Sequence, residues 1–188
     1  MTSSAQLIHT IVSRIDPYDG LETQHKQDVL DWIESGAPLF RITKPDNPPK
    51  HLVSYFVLYD DSAGQLMLVD HVKAKAWLPA GGHVEQDEDP HTTVVREVEE
   101  ELGIVADFST PYGNNPFFIT AGATKGYGSH VDVSLWYVIA GDSTRSLTYD
   151  PQEMHGYKWF TPKEILGMDI KELDPHMHRF VQKMQKSH

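Results

Sequence analysis

The chain has 188 residues, 39% hydrophobic and 23% charged, the make-up of one globular domain of ordinary size with a short extension. With 16 lysines and arginines against 27 aspartates and glutamates, the net charge of −11 makes polymeric nucleic acid and anionic lipid poor partners. The absence of cysteine excludes disulfide scaffolds, thiolate metal sites and cysteine nucleophiles, and it fits a cytoplasmic protein, which is the expectation.

The start, MTSSAQLIHTIVSRID, has no cationic segment followed by an apolar run, so no signal peptide is expected. No stretch approaches ~18 consecutive apolar residues, so no membrane span is expected either. Leu7, Ile8, Ile11, Val12 and Ile15 recur at helical spacing behind the cap candidates Ser3 and Ser4. Asp16-Pro17 ends that helix. Asp19 with Glu22 forms a capping-box pattern for a second helix reaching about Ser35-Gly36. Residues 1–44 are therefore expected to form a helical hairpin, set apart by the proline-rich link Lys44–Pro49 from a domain at 50–188.

Leu52–Asp60 is nearly continuous apolar, as a strand buried on both faces would be, and Gln65–Val72 follows as its hairpin partner after the turn Asp61–Gly64. Further strands are expected at Pro116–Thr120, His130–Ala140 and His155–Phe160. A helix is expected over Pro90–Leu102, capped by Asp89 and stopped by Gly103. A last helix begins at Asp174-Pro175 and buries Met177, Phe180, Val181 and Met184. Helices, a strand pair, a helix, strands and a helix in that order argue for an α+β or α/β/α layout.

Between Glu85 and Glu101 eight of seventeen residues are acidic, and only Arg96 is cationic. On a helical wheel Val94, Val95, Val98 and Leu102 share an arc of roughly 100° that faces the core. Glu97, Glu100 and Glu101 share the adjoining arc, while Glu99 points to solvent. Three carboxylates at i, i+3 and i+4 repel one another, each pair costing about 0.2–0.5 kcal/mol when exposed. A divalent cation relieves that repulsion, and hard oxygen donors suit Mg²⁺ or Mn²⁺. Against this stands the plain reading of a solvated acidic helix face.

The flanking residues decide between the two. Gly82, five residues, Glu88, seven residues and then Arg96-Glu97-Val98-Glu99-Glu100-Glu101-Leu102-Gly103-Ile104 match the Nudix (MutT-like) hydrolase signature in full. Seven positions must be particular residues, a coincidence on the order of 10⁻⁸, or ~10⁻⁵ allowing for local glutamate richness. Trp77–Glu85 and Tyr157–Ile165 also resemble this family, so the likeness spans about Leu52 to Leu166. The resemblance implies a mixed sheet sandwiched between helices. It also implies metal-dependent hydrolysis of a diphosphate linkage in a nucleoside diphosphate derivative such as an NTP, a nucleotide sugar or ADP-ribose.

Carried over residue by residue, the resemblance makes Glu100 and Glu101 the core ligands of Mg²⁺ or Mn²⁺. Glu97 becomes a further ligand or the base, and the Gly82 carbonyl a member of the shell. Arg96 and Glu88 join the catalytic set as an ion pair fixing loop to helix. Outside the box Glu153 is the first choice for an additional base or ligand. His130 and Asp132, at i and i+2 on one strand face, are read as structural or surface residues. His176 and His178 do not share a helix face and are read as surface. Of Trp77, Tyr112, Phe117, Phe118 and Tyr127, which could stack a base, most are expected to pack the core. The expected partner is a small nucleoside diphosphate-type molecule, with no polymeric nucleic acid and no membrane. The N-terminal helices are left to substrate choice or a homodimer interface. The alternative is a non-catalytic nucleotide-binding Nudix domain; an isopentenyl-diphosphate isomerase of this fold is discounted because its usual cysteine is missing.

Overall fold

The computed structural model describes residues 3–43, 47–124 and 130–187. The elements run α1 (Ser3–Ser13), α2 (Gly20–Glu34), β1 (Lys50–Asp60), β2 (Gln65–His71), β3 (Ala76–Leu78), β4 (Ala80–His83), α3 (Pro90–Leu102), β5 (Phe118–Ala123), β6 (Val131–Ala140), β7 (Met154–Phe160), α4 (Pro162–Gly167) and α5 (Met177–Lys186). The strands join one seven-stranded sheet in the order β3-β2-β1-β6-β5, with β4 paired to β1 and β7 to β2. The α+β arrangement of sheet, helices and an N-terminal helical pair is the one expected. No helix among the described residues is long and apolar enough to cross a membrane.

The chain resolves into two compact units. The first comprises Met1–Tyr55, Gly81–Arg96 and Asn115–Tyr137. In it α1 buries Ile8 and Val12, and α2 buries Val29 and Ile33. Asp19 caps α2 by accepting from the Glu22 N–H at 2.8 Å, as the capping pattern predicts. Glu22 does more than close a box. It is fully buried, and it accepts from the Tyr18 N–H at 2.7 Å and from the Ile119 N–H of β5 at 3.2 Å. A carboxylate held by two backbone donors ties α2 to the sheet edge, and no local pattern announces that role. Ser4, expected as a cap, lies inside α1 and donates to Asp87 at 2.6 Å.

The second unit comprises Phe56–Ala80, Glu97–Asn114 and Val138–His188. Its centre is β2, antiparallel to β7 on one edge and β3 on the other. Leu66, Met67, Leu68 and Val69 are all buried, because both faces of this strand are covered. Helix α5 buries Met177, Phe180, Val181 and Met184, the predicted stripe.

Three sequence expectations shift. β5 starts at Phe118 rather than Pro116, because proline offers no N–H, and it runs on through Gly122 and Ala123, whose weak strand preference hid them. Val95, expected in the core, is 39% exposed, since Val94, Val98 and Leu102 already fill the buried stripe of α3. The short strands β3 and β4, the second carrying Gly81 and Gly82, have no periodicity of their own to mark them. Tyr127 and part of the proline-rich link (residues 44–46) lie outside the described residues.

Candidate active site

The loop before α3 is held by its backbone. Gly81 sits at φ +140°, and a Cβ there would drive into the Ser54 carbonyl oxygen and lie 2.8 Å from the Tyr55 Cα. Any other residue at this position would lever β4 away from β1, so the glycine sets where Gly82 lies. Asp89 caps α3 by accepting from the His91 N–H at 2.9 Å. Ser54 donates to the Pro90 carbonyl at 2.9 Å.

Glu88 and Arg96 form the expected brace. Arg96 donates from Nε to Glu88 Oε1 and from Nη2 to Oε2, both at 3.2 Å. The same Nη2 reaches the His83 carbonyl at 3.2 Å. Glu88 Oε2 also accepts from the Glu85 N–H at 3.0 Å and the Thr93 hydroxyl at 2.8 Å. Burial works against the charge, but the bonds from Arg96, Glu85 and Thr93 outweigh it and hold the Glu88 carboxyl below its usual range. Both partners are spent on fixing loop to helix, which is a positioning role.

Along the second turn of α3 the acidic face is graded. Val98 and Leu102 are fully buried, Glu101 is 8% exposed, Glu97 is half-buried, and Glu99 and Glu100 face solvent. One carboxylate oxygen of Glu101 is wholly out of solvent. The helix ends at Gly103, with φ +64°, whose N–H bonds the Glu99 carbonyl; Thr148 donates to the Leu102 carbonyl at 3.0 Å. An all-oxygen carboxylate set at i, i+3 and i+4, its innermost member half sealed from water, suits a hard divalent cation.

Glu153, expected as a spare base or ligand, is exposed in the turn before β7, its N–H on the Asp150 carbonyl and its own carbonyl taking the Val72 N–H. Burial lowers the pKa of nearby His71 and the charge of Glu153 partly offsets this. His178, expected at the surface, donates to the Ile165 carbonyl at 2.9 Å and ties α5 to α4. Phe118 is core, edge-on to Trp136 at 5.6 Å. Trp77 packs edge-on to Phe160 at 5.2 Å, and the two share a cavity of about 630 Å³ with Lys158, Lys163 and Met168. Glu164 lines the same cavity, so its wall carries both signs of charge beside the aromatic pair.

A second gathering of donors went unread in the sequence. His51, His83, His130 and Asp132 each bring one donor atom to within 4.8 Å of the others, and no other such set of three or more histidine or acidic side chains exists among the described residues. His51 and His130 are 4.8 Å apart and nearly parallel, and His83 lies 4.9 Å from His51. The available signal was the His130-x-Asp132 pair; only sheet register adds His51 and His83.

The chain matches the family model described as "NUDIX domain" over residues 49–184. No curated protein matches it significantly. Among solved structures it is similar to a NUDIX-family hydrolase from Clostridium perfringens, at 18% identity and TM-score 0.55, covering 73% of this chain and 97% of that one. It is similar to a C. elegans Ap4A hydrolase at 18% identity and TM-score 0.54, covering 72% and 95%. It is also similar to the E. coli dihydroneopterin triphosphate pyrophosphohydrolase at 15% identity and TM-score 0.53, covering 77% and 99%. At these identities the structures speak for the fold. The braced loop, the graded acidic helix and the match over residues 49–184 together place this chain in the NUDIX family of hydrolases.

Proposed function

We propose that the chain is a Mg²⁺- or Mn²⁺-dependent pyrophosphohydrolase that cleaves a diphosphate linkage in a small nucleoside diphosphate derivative. The observation that carries this reading is the graded face of α3. Glu101 is the least exposed of its four glutamates at 8%, and burying a carboxylate beside others is costly without a cation. Glu97, Glu100 and Glu101 would hold the ion, and the family resemblance adds the Gly82 carbonyl. When bound, the ion would neutralise the diphosphate and make a water more acidic.

The chain's own groups would do the rest. Glu97, half-buried, would accept the proton of the attacking water. Glu88 and Arg96, occupied by each other, would hold loop and helix in register. Two of the similar proteins are named for acting on Ap4A and on dihydroneopterin triphosphate, both phosphoanhydrides, which supports the linkage class. A phosphomonoester lacks the second phosphoryl group that would anchor the scissile phosphorus in line with the attacking water.

The test is a panel of NTPs, nucleotide sugars, ADP-ribose and monoesters, assayed with Mg²⁺ in ¹⁸O-labelled water. The expected result is chelator-sensitive turnover of at least one anhydride, with label on a phosphate product and negligible monoesterase activity. Label on a non-phosphate product, or monoesters turned over as fast as anhydrides, would contradict the reading.

A further inference from the structure

We propose that His51, His130 and Asp132, with His83 as a fourth donor, form a binding site for a zinc-class transition-metal ion, separate from the carboxylates of α3.

The argument begins with where the protons must be. His51 is fully buried, and its Nδ1 lies 2.8 Å from the Pro48 carbonyl oxygen. A carbonyl only accepts, so Nδ1 carries a hydrogen and Nε2 of the neutral ring is a bare lone pair. His130 is held from its backbone side: the Thr124 hydroxyl lies 3.2 Å from the His130 carbonyl oxygen and 3.3 Å from its Nδ1. Anchoring Nδ1 on an outer acceptor is how proteins present Nε2 to a metal.

The Nε2 atoms of both rings face one carboxylate oxygen. Asp132 Oδ1 is 3.4 Å from His51 Nε2 and 3.1 Å from His130 Nε2. Yet Oδ1 and His51 Nε2 are buried atoms without a hydrogen bond. The His51 lone pair and a carboxylate oxygen repel unless a proton or a cation stands between them. Four ligands at ordinary zinc distances around a tetrahedron are spaced about 3.3 Å apart; the two contacts of Asp132 are close to that, and the full set of four donors lies within 4.8 Å. Imidazoles with one carboxylate are a zinc-class donor set, unlike the all-oxygen face of α3.

His83 is the conditional member. Arg41 donates to its Nε2 at 3.0 Å, so His83 joins only as it gives up that bond. Burial first, and then Arg41, hold its pKa well below the ordinary histidine range, which keeps the ring an uncharged base. The core of the site is therefore His51, His130 and Asp132, which link the start of β1 to β6.

The experiment uses the full-length protein stripped with chelator and titrated with Zn²⁺ alone and with Co²⁺ alone. One equivalent should bind, Co²⁺ should give the strong visible absorption of tetrahedral coordination, and Glu101→Gln should bind as wild type does. Asp132→Asn and His130→Gln, near-isosteric changes, should each weaken Zn²⁺ at least ~10-fold. Histidine ¹⁵N NMR on the unaltered protein needs no variant: the His51 Nε2 resonance should move to a metal-bound position with one equivalent of Zn²⁺. The proposal is overturned if no stoichiometric binding occurs, or if folded Asp132→Asn binds like wild type. It is equally overturned if Glu101→Gln abolishes binding, or if His51 is protonated on both nitrogens and ignores Zn²⁺.

Discussion

The carboxylates of α3 and the histidines of the sheet both gather donors, by opposite means. Glu97, Glu100 and Glu101 fall within five consecutive residues and share a face because a helix turns every 3.6 residues. His51, His83, His130 and Asp132 span 82 positions and meet only because strands pair in one register. The first set is hard, anionic and partly solvated; the second is rich in ring nitrogens and buried at His51. The difference teaches that a helix can store a site in local sequence, whereas a sheet stores it in topology.

The largest expected effect breaks the first half of that comparison. Glu101→Gln should lower Mg²⁺-dependent diphosphate turnover by two to three orders of magnitude, about 3–4 kcal/mol of barrier, with the melting curve nearly unchanged. Steady-state kinetics beside circular dichroism reads both. A variant that keeps full activity removes α3 from the chemistry.

Next is Glu22→Ala, which tests whether the unit carrying the histidines leans on the N-terminal helices. It strands the N–H groups of Tyr18 and Ile119 inside the protein. Urea unfolding should show a loss of about 2–4 kcal/mol. A loss under about 0.5 kcal/mol would mean that α2 is only laid against β5.

Glu88→Gln should cost about 1–3 kcal/mol, since it weakens the bonds from Arg96 while keeping the shape. The Glu88 carboxyl is held below its ordinary 4.5. Its contribution is therefore complete above that value and fades as pH falls through the lower, folded one. The variant should lose stability more gently in acid than wild type does, as thermal melts across pH would record.

The smallest effect runs the other way. Asp174, buried, has its pKa raised from 3.8 to about 6. The folded state thus holds a proton that the unfolded state has released, and stability declines as pH rises between those values. Asp174→Asn keeps an acceptor for the His176 N–H, now met at 2.7 Å. It should gain about 1 kcal/mol at neutral pH and flatten the decline. An unchanged pH profile would assign the burial no electrostatic cost.

Much of this was legible in the chain. The limits of α3 follow from Asp89, Pro90 and Gly103, and those of α2 from the Asp19 cap, because capping is local chemistry. The Glu88–Arg96 brace was implied by the family resemblance, and the structure shows the pair. What stayed hidden depends on partners distant in sequence. Glu22 reads as a cap until β5 presents the Ile119 N–H, and Val95 reads as core until its neighbours fill the stripe. His51 sits beside an apolar strand segment and looks like filler until Asp132 arrives from β6.

The most direct test compares Glu101→Gln with Glu99→Gln in Mg²⁺-dependent hydrolysis of whichever anhydride the wild type turns over. Both remove one charge from the same turn of α3, but Glu101 is nearly buried and Glu99 faces solvent. The account predicts that Glu99→Gln stays within about 3-fold of wild type while Glu101→Gln falls by two orders of magnitude or more. Equal activity in the two variants, or wild-type turnover in excess chelator, would contradict it.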